Sequence, residues 1–280
     1  MFKNLSPGAI GYGKPFFEAL APARAAGFEG IDVDARQLLD PAFRDKVVEA
    51  LERADMVLGG WGLPVPFFDE QAAYEEALER LLPVTAAAAS IAYTRAATWI
   101  PSWSDERPYA ENAAFLMKRV RPAAEILADN GCWLGLEFLG PKTSRAGHKY
   151  EFIHTMEQML ELCDAVGTGN VGLLLDAWHW YTSGGTVEQL ETLRDEQVVY
   201  VHINDAPAGI PIDEQVDNVR RLPGETGVID LVGFLRALEK IGYTGPVAPE
   251  PFSKELQALP EEERLTTAGA ALLKVWQAAF

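Results

Sequence analysis

The chain has 280 residues, a length that suits one large domain or two small ones. Hydrophobic residues make up 48% of it, which supplies a sizeable buried core and excludes global disorder. The 41 acidic residues outnumber the 24 basic ones, and the net charge of −17 disfavours nucleic acid and anionic membranes as binding partners.

Short apolar or β-branched segments alternate with longer helical patterns along the whole chain. The predicted strands begin near Asn4, Glu29, Met56, Thr94, Trp133, Val171, Val198 and Pro246. The predicted helices span residues 15–26, 41–54, 70–90, 110–130, 153–166, 187–194, 231–241 and 261–278. Eight such units without a linker-like segment predict an α/β protein with a (β/α)8 TIM barrel, formed as a single domain over residues 1–280.

The first residues contain no apolar run as long as a signal peptide or a membrane span, and this predicts a cytoplasmic protein. Cys132 and Cys163 lie inside apolar periodic segments and do not form a CxxC pair. We therefore expect two buried, reduced thiols. The sequence leaves a homo-oligomer open.

Four polar residues stand at the ends of the last four predicted strands. Glu137 ends Trp-Leu-Gly-Leu-Glu, and Asp176 ends Leu-Leu-Leu-Asp. His202 lies in Tyr-Val-His-Ile, and Glu250 lies in Pro-Glu-Pro-Phe. The carboxyl ends of barrel strands open onto one face, and neighbouring strands are about 5 Å apart, so we expect these side chains to converge.

Three carboxylates cannot share a dry pocket as free anions, because like charges at short range force protonation or require a cation. Three oxygen ligands and one imidazole form a hard donor set that favours Mn²⁺, with Co²⁺, Mg²⁺ and Zn²⁺ as alternatives. Each residue alone also has an ordinary explanation, since an acidic residue after a strand often caps the next helix.

The set of strand-end residues resembles the xylose isomerase-like TIM-barrel superfamily, in particular its ketose 3-epimerase and inosose-processing branch. The residues that carry the resemblance are Glu137, Asp176, His179, His202, Glu250 and the segment 223–230, Pro-Gly-Glu-Thr-Gly-Val-Ile-Asp. The resemblance implies one divalent ion held by Glu137, Asp176, His202 and Glu250. It also implies that His179 contacts the substrate, a sugar or cyclitol.

The chemistry that these groups permit is proton transfer beside a carbonyl. A metal bound to a ketone and its neighbouring hydroxyl acidifies the proton between them and stabilises the resulting enediolate. Glu137 and Glu250 are the predicted acid/base pair, which makes the protein a metal-dependent isomerase or epimerase. Loss of a β-substituent would instead make it a dehydratase or lyase acting on a keto-inositol or a 3-keto-glycoside. A third alternative is a metal-binding subunit that needs a partner chain.

Several aromatic residues fall at predicted strand ends. Trp61, Trp103 and Trp178 are predicted to bind substrate, because indole rings suit the apolar faces of a sugar ring. The alternative is that these rings plug the barrel mouth or cover helices.

Four charged residues near the predicted barrel mouth are further candidates. Lys142 and Arg221 are predicted to contact substrate, with solvated loop charges or a local salt bridge as the alternatives. Asp32 and Asp34 end the second strand, where they either orient a sugar hydroxyl or cap the following helix.

Overall fold

The computed structural model describes residues 1–280 and contains a curled, parallel sheet of nine strand segments and a separate antiparallel pair. The strands are β1 (Phe2–Leu5), β2 (Gly30–Ile31), β3 (Val57–Leu58), β4 (Trp61–Gly62), β5 (Arg95–Ile100), β6 (Trp103–Ser104), β7 (Trp133–Phe138), β8 (Tyr150–Glu151), β9 (Val171–Asp176), β10 (Val198–Ile203) and β11 (Pro246–Pro249). All eight strands predicted from the sequence are present.

The parallel sheet closes into a barrel through one interrupted strand. Its order is β3-β2-β1-β11-β10-β9-β7-β5-β4, and β3 and β4 at its two ends are consecutive in the chain. Val57–Leu58 pairs with β2 and Trp61–Gly62 pairs with β5, so one stretch of chain joins both edges. The structure is therefore the predicted TIM barrel, whose third strand is broken at Gly59 and Gly60.

Helices surround this sheet. They are α1 (Phe16–Ala25), α2 (Pro41–Ala54), α3 (Gln71–Ala89), α4 (Tyr109–Ala128), α5 (Lys142–Arg145), α6 (Met156–Val166), α7 (Ala177–Thr182), α8 (Val187–Leu190), α9 (Leu231–Lys240), α10 (Lys254–Gln257) and α11 (Glu261–Ala279). Most agree with the predicted spans to within one turn. The helix predicted over 187–194 stops at Leu190, because the chain then leads into a 3₁₀ turn at Asp195–Gln197. The short helices α5, α7 and α10 were not predicted.

The apolar core lies mainly between the sheet and the helices, where one large cluster of buried side chains includes both cysteines. The prediction of buried, unpaired thiols is confirmed, and burial raises the pKa of Cys132 to about 11. A second, small cluster of Leu174, Tyr200 and Ala248 is separate from that core. None of the helices has both the length and the apolar character needed to cross a membrane.

The antiparallel pair β6–β8 joins two loops that follow barrel strands. Trp103 pairs with Glu151, and Ser104 pairs with Tyr150. Because these loops leave the carboxyl ends of β5 and β7, the pair lies on the face where active sites of this fold are built. It holds the ring of Trp103 beside that of His148, with 4.5 Å between the ring centroids.

Candidate metal centre

Four side chains meet at the carboxyl ends of four neighbouring strands. Glu137 lies near the end of β7, and Asp176 is the last residue of β9. His202 lies near the end of β10, and Glu250 directly follows β11. One donor atom from each of the four residues lies within 4.8 Å of the others. The structure therefore brings together the residues that the sequence predicted as metal ligands.

The donor atoms of this cluster face one another, and two of them have no hydrogen-bond partner. His202 Nδ1 is 3.6 Å from Glu137 Oε1, 3.4 Å from Glu250 Oε2 and 3.9 Å from Asp176 Oδ2. Both His202 Nδ1 and Glu137 Oε1 are buried and unpaired. Buried polar atoms rarely stay unpaired, and three carboxylates around one imidazole form a donor set that a divalent cation satisfies. These residues therefore fit a metal ion.

Asp176 is held by the turn that follows its strand. Its Oδ1 accepts hydrogen bonds from the Trp178 amide at 2.7 Å and from Asn204 Nδ2 at 3.0 Å, which leaves Oδ2 toward the cluster. This capping contact starts α7 directly after the strand. The turn places His179 on the same face as Asp176, although residues three apart in a strand would point to opposite faces.

Arg220 supplies a positive charge to this acidic cluster. Its Nη1 donates to Asp176 Oδ2 and Glu250 Oε2 at 2.8 Å each, and its Nη2 donates to Asp217 Oδ1 at 2.8 Å. The side chain is 1% exposed. Phe252 packs against the guanidinium, whose central carbon is 4.7 Å from the ring centroid. Arg220 therefore fixes two of the predicted metal ligands.

Arg221, which the sequence predicted as the basic residue near substrate, points away from the cluster. Its backbone exchanges hydrogen bonds with Asp205, and its side chain lies 3.8 Å from Glu225. Side chains alternate along extended backbone, so when Arg221 faces outward its neighbour Arg220 faces inward. Arg220, and not the predicted Arg221, therefore reaches the carboxylate cluster.

Burial and neighbouring charges shift the pKa values of the cluster. Burial raises the pKa of Glu137 to about 8, and the Glu250 and Asp176 carboxylates add to that shift. Burial also raises the pKa of Glu250, against the opposing effects of His202 and Arg220. Burial alone would lower the pKa of His202, but the surrounding carboxylates outweigh it and raise that pKa to about 9.

A family model described as xylose isomerase-like TIM barrel matches residues 20–276. The chain belongs to this family. A solved member, a xylose isomerase domain protein from Alicyclobacillus acidocaldarius, is 30% identical, with a TM-score of 0.87 over 100% of this chain and 99% of that one. The crystal structure of the IOLI protein with a bound zinc atom is 21% identical, covers 100% of this chain and 99% of that one, and has a TM-score of 0.81.

Curated relatives within this xylose isomerase-like group include isomerases and dehydratases. The inosose isomerase of Bacillus velezensis is 34% identical over 145 residues, which are 52% of this chain and 49% of that protein. The 3-dehydroshikimate dehydratase of Pseudomonas aeruginosa is 31% identical over 148 residues, which are 52% of this chain and 22% of that protein. The chain thus spans half or less of the length of these relatives.

Two adjoining cavities lie at the barrel mouth beside the cluster; Glu137 and Glu250 line both, His202 lines the first, and Asp176 lines neither. They measure about 310 Å³ and about 420 Å³ and share Trp99, Glu137 and Glu250. Trp61 lines the first cavity, and Trp103 and His179 line the second. Volumes of this size suit a small-molecule ligand. Trp99 falls at a predicted strand end, as Trp61 and Trp103 do, and it lines both cavities.

Besides Arg221, two more predicted substrate residues lie outside both cavities. Trp178 is fully buried, and its ring centroid is 5.5 Å from the guanidinium carbon of Arg220. Lys142 is exposed, and its Nζ pairs with Asp213 at 2.8 Å. Trp178 therefore supports Arg220 by packing, and Lys142 is a solvated loop charge paired with Asp213.

Proposed function

We propose that the protein is a divalent-metal-dependent isomerase or epimerase that transfers a proton on the carbon beside the carbonyl of a sugar or cyclitol. The observation that carries the proposal is the pair of buried, unpaired atoms Glu137 Oε1 and His202 Nδ1, which face two further carboxylates in a cavity. The similarity to inosose isomerase supports the same class of reaction.

Glu137, Asp176, His202 and Glu250 would hold the ion. The oxygen-rich donor set favours Mn²⁺, and the zinc atom in the IOLI structure supports a divalent ion in this family. When bound, the ion would polarise the substrate carbonyl and stabilise the negative charge that develops on its oxygen.

Glu250 and Glu137 form the proposed base and acid. Arg220 Nη1 donates to Glu250 Oε2, which favours the ionised carboxylate as the group that removes the proton. Glu137 Oε1 accepts no hydrogen bond from any donor, so its ionised form lacks the stabilisation that Arg220 gives to Glu250, and this carboxyl is the proposed acid. Return of a proton on the opposite face of the carbon gives the epimer, whereas return at the neighbouring carbon gives the aldose–ketose isomer.

Dehydration is the second candidate, supported by the similarity to 3-dehydroshikimate dehydratase. In that reaction Glu250 would take the proton beside the carbonyl, and the C–O bond at the next carbon would break. The departing hydroxyl would take the proton of Glu137 and leave as water. The same two carboxyl groups serve both reactions, so the substrate decides between them.

The test incubates the Mn²⁺-loaded protein in deuterated water with an inosose, with D-fructose and with 3-dehydroshikimate. Deuterium beside the carbonyl without loss of water supports the isomerase or epimerase, and loss of one water supports the dehydratase. Glu137→Gln should slow either reaction by about 10²- to 10⁴-fold. Glu239→Gln, an exposed residue of α9, should leave the rate unchanged.

No reaction of any of the three ketones with Mn²⁺, Co²⁺, Mg²⁺ or Zn²⁺ would contradict the catalytic proposal for these substrates. That result would favour the third alternative, a metal-binding subunit that acts only with a partner chain. An active homo-oligomer purified alone would argue against it.

A further inference from the structure

Asp32 lines a cavity that three of the candidate metal ligands also line, but it is not itself one of those ligands. The residue follows β2, and it lines the 310 Å³ cavity together with Glu137, His202 and Glu250. It does not cap the following turn, because Asp34 performs that task by accepting a hydrogen bond from the Arg36 amide at 3.0 Å. The carboxylate of Asp32 therefore needs another explanation.

Three donors fix this carboxylate. Asp32 Oδ1 accepts from Asn4 Nδ2 at 2.8 Å and from the Gly60 amide at 2.9 Å. Asp32 Oδ2 accepts from the Tyr200 hydroxyl at 2.7 Å, and that hydroxyl accepts from Asn4 Nδ2 at 2.8 Å. A carboxylate oxygen has two acceptor positions, so Oδ1 is fully used while Oδ2 keeps one for a ligand.

The barrel backbone is shaped around these groups. The third barrel strand is broken at Gly59 and Gly60, where side chains would collide with Asn4 and Tyr200; a Cβ at Gly60 would lie 2.6 Å from Tyr200 Cδ2. The Tyr200 ring stands edge-on to the ring of His202, with centroids 5.3 Å apart. Asp32 is therefore held rigidly, one aromatic ring away from the metal cluster.

The charge of the cavity limits what Asp32 can bind. No lysine or arginine lines the 310 Å³ cavity. In the adjoining cavity, Arg220 already donates to the carboxylates of Asp176, Asp217 and Glu250. Asp32 also lines a third cavity of about 520 Å³ together with Arg36, whose guanidinium pairs with Asp34. Apart from the proposed metal ion, these cavities therefore offer no unpaired lysine or arginine for a substrate carboxylate or phosphate, whereas Asp32 repels an anion and accepts hydrogen bonds from hydroxyl groups.

We propose that Asp32 Oδ2 accepts a hydrogen bond from a substrate hydroxyl remote from the reacting carbon, and that Asp32 thereby selects neutral polyhydroxylated ketones over anionic ones. This inference rests on the proposed function, because it assigns the substrate class of the same cavity. Tyr200 acts as a positioning residue through the hydroxyl that holds Asp32.

Asp32→Asn is the decisive variant because it removes the charge but keeps the shape. The amide oxygen still accepts from Asn4 and Gly60, and the Tyr200 hydroxyl can rotate to accept from the new amide. We therefore expect the thermal unfolding temperature and the Mn²⁺ affinity to stay close to those of the unaltered protein. The matched control is Asp45→Asn, an exposed aspartate on α2.

The assay measures kcat and KM of the Mn²⁺-loaded protein with the inosose, D-fructose and 3-dehydroshikimate. For the neutral ketone that reacts, Asp32→Asn should raise KM about 10- to 100-fold, the value of a hydrogen bond to a charged group, with a much smaller change in kcat. The ratio of kcat/KM for the neutral ketone to kcat/KM for 3-dehydroshikimate should fall by a similar factor. Tyr200→Phe should raise KM in the same direction by a smaller factor.

Two results would overturn the role of Asp32 while leaving the proposed function intact. The first is a KM for the reacting ketone that is the same in Asp32→Asn and Asp45→Asn. The second is a higher kcat/KM of the unaltered protein for 3-dehydroshikimate than for the neutral ketones. If no ketone reacts, the proposed function fails separately, and calorimetry with myo-inositol still tests Asp32. Binding that weakens about tenfold or more in Asp32→Asn supports the inference, whereas equal or undetectable binding contradicts it.

Discussion

Arg220→Met tests whether a buried arginine is the internal counter-ion of the four-residue cluster that includes Asp176 and Glu250. The side chain is 1% exposed, and its guanidinium lies 2.8 Å from oxygens of Asp176, Asp217 and Glu250. Methionine keeps much of the apolar contact with Phe252 but leaves three carboxylates without their cation. Removing one partner of a buried ion pair costs about 3–5 kcal/mol, because the remaining charges are uncompensated.

The assay is urea unfolding of Arg220→Met and of the unaltered protein, with a chelator and with Mn²⁺. In chelator the variant should lose about 3–5 kcal/mol of unfolding free energy, which lowers the midpoint of thermal unfolding by roughly 10 °C. Mn²⁺ stabilises whichever folded form binds it, and the extra negative charge of the variant favours the cation. The difference in unfolding free energy between the variant and the unaltered protein should therefore be smaller when Mn²⁺ is present.

Arg221→Met is the control, since this neighbouring side chain is partly exposed and lies 3.8 Å from Glu225. Such a surface pair contributes less than about 1 kcal/mol. Equal losses of unfolding free energy in the two variants in chelator would contradict a counter-ion role for Arg220. The same conclusion follows if Mn²⁺ leaves the loss in Arg220→Met unchanged.

Three further predictions concern the site and the broken strand. Gly60→Ala should lower the free energy of unfolding in urea by about 1–3 kcal/mol, because the new Cβ would meet Tyr200. Gly62→Ala is the control and should lower it little, because the space around its Cβ is open. Equal losses in the two variants would contradict this prediction. Mn²⁺ affinity measured by calorimetry should level off above about pH 9 and fall by about tenfold per pH unit between about pH 9 and 8, where His202 carries a proton. Below about pH 8 the fall should steepen toward about hundredfold per pH unit, because the metal must then displace a second proton from Glu137. A pH-independent affinity would show that both groups are already deprotonated. In deuterated water, Glu137→Gln should still exchange the proton that Glu250 removes, but should lose formation of the epimer or isomer and bind Mn²⁺ more weakly. An unchanged rate of product formation would exclude Glu137 as the acid.

The sequence by itself determined the barrel and its metal-ligand candidates. The alternation of apolar segments and helical patterns repeats eight times, and the structure places a strand at each predicted position. Glu137, Asp176, His202 and Glu250 were found because each ends an apolar strand, and the carboxyl ends of parallel strands meet on one face. This inference needs only the position of a residue within its own strand.

Only the tertiary structure decided which loop residues reach the cavity. Arg220 and Arg221 are adjacent and chemically identical, and the backbone pairing of Arg221 with Asp205 decides which one faces inward. Asp32 is distinguished from Asp34 by contacts with Asn4, Gly60 and Tyr200, which come from other strands. Local periodicity carries no information about such contacts, because they form only when distant segments of the chain pack together.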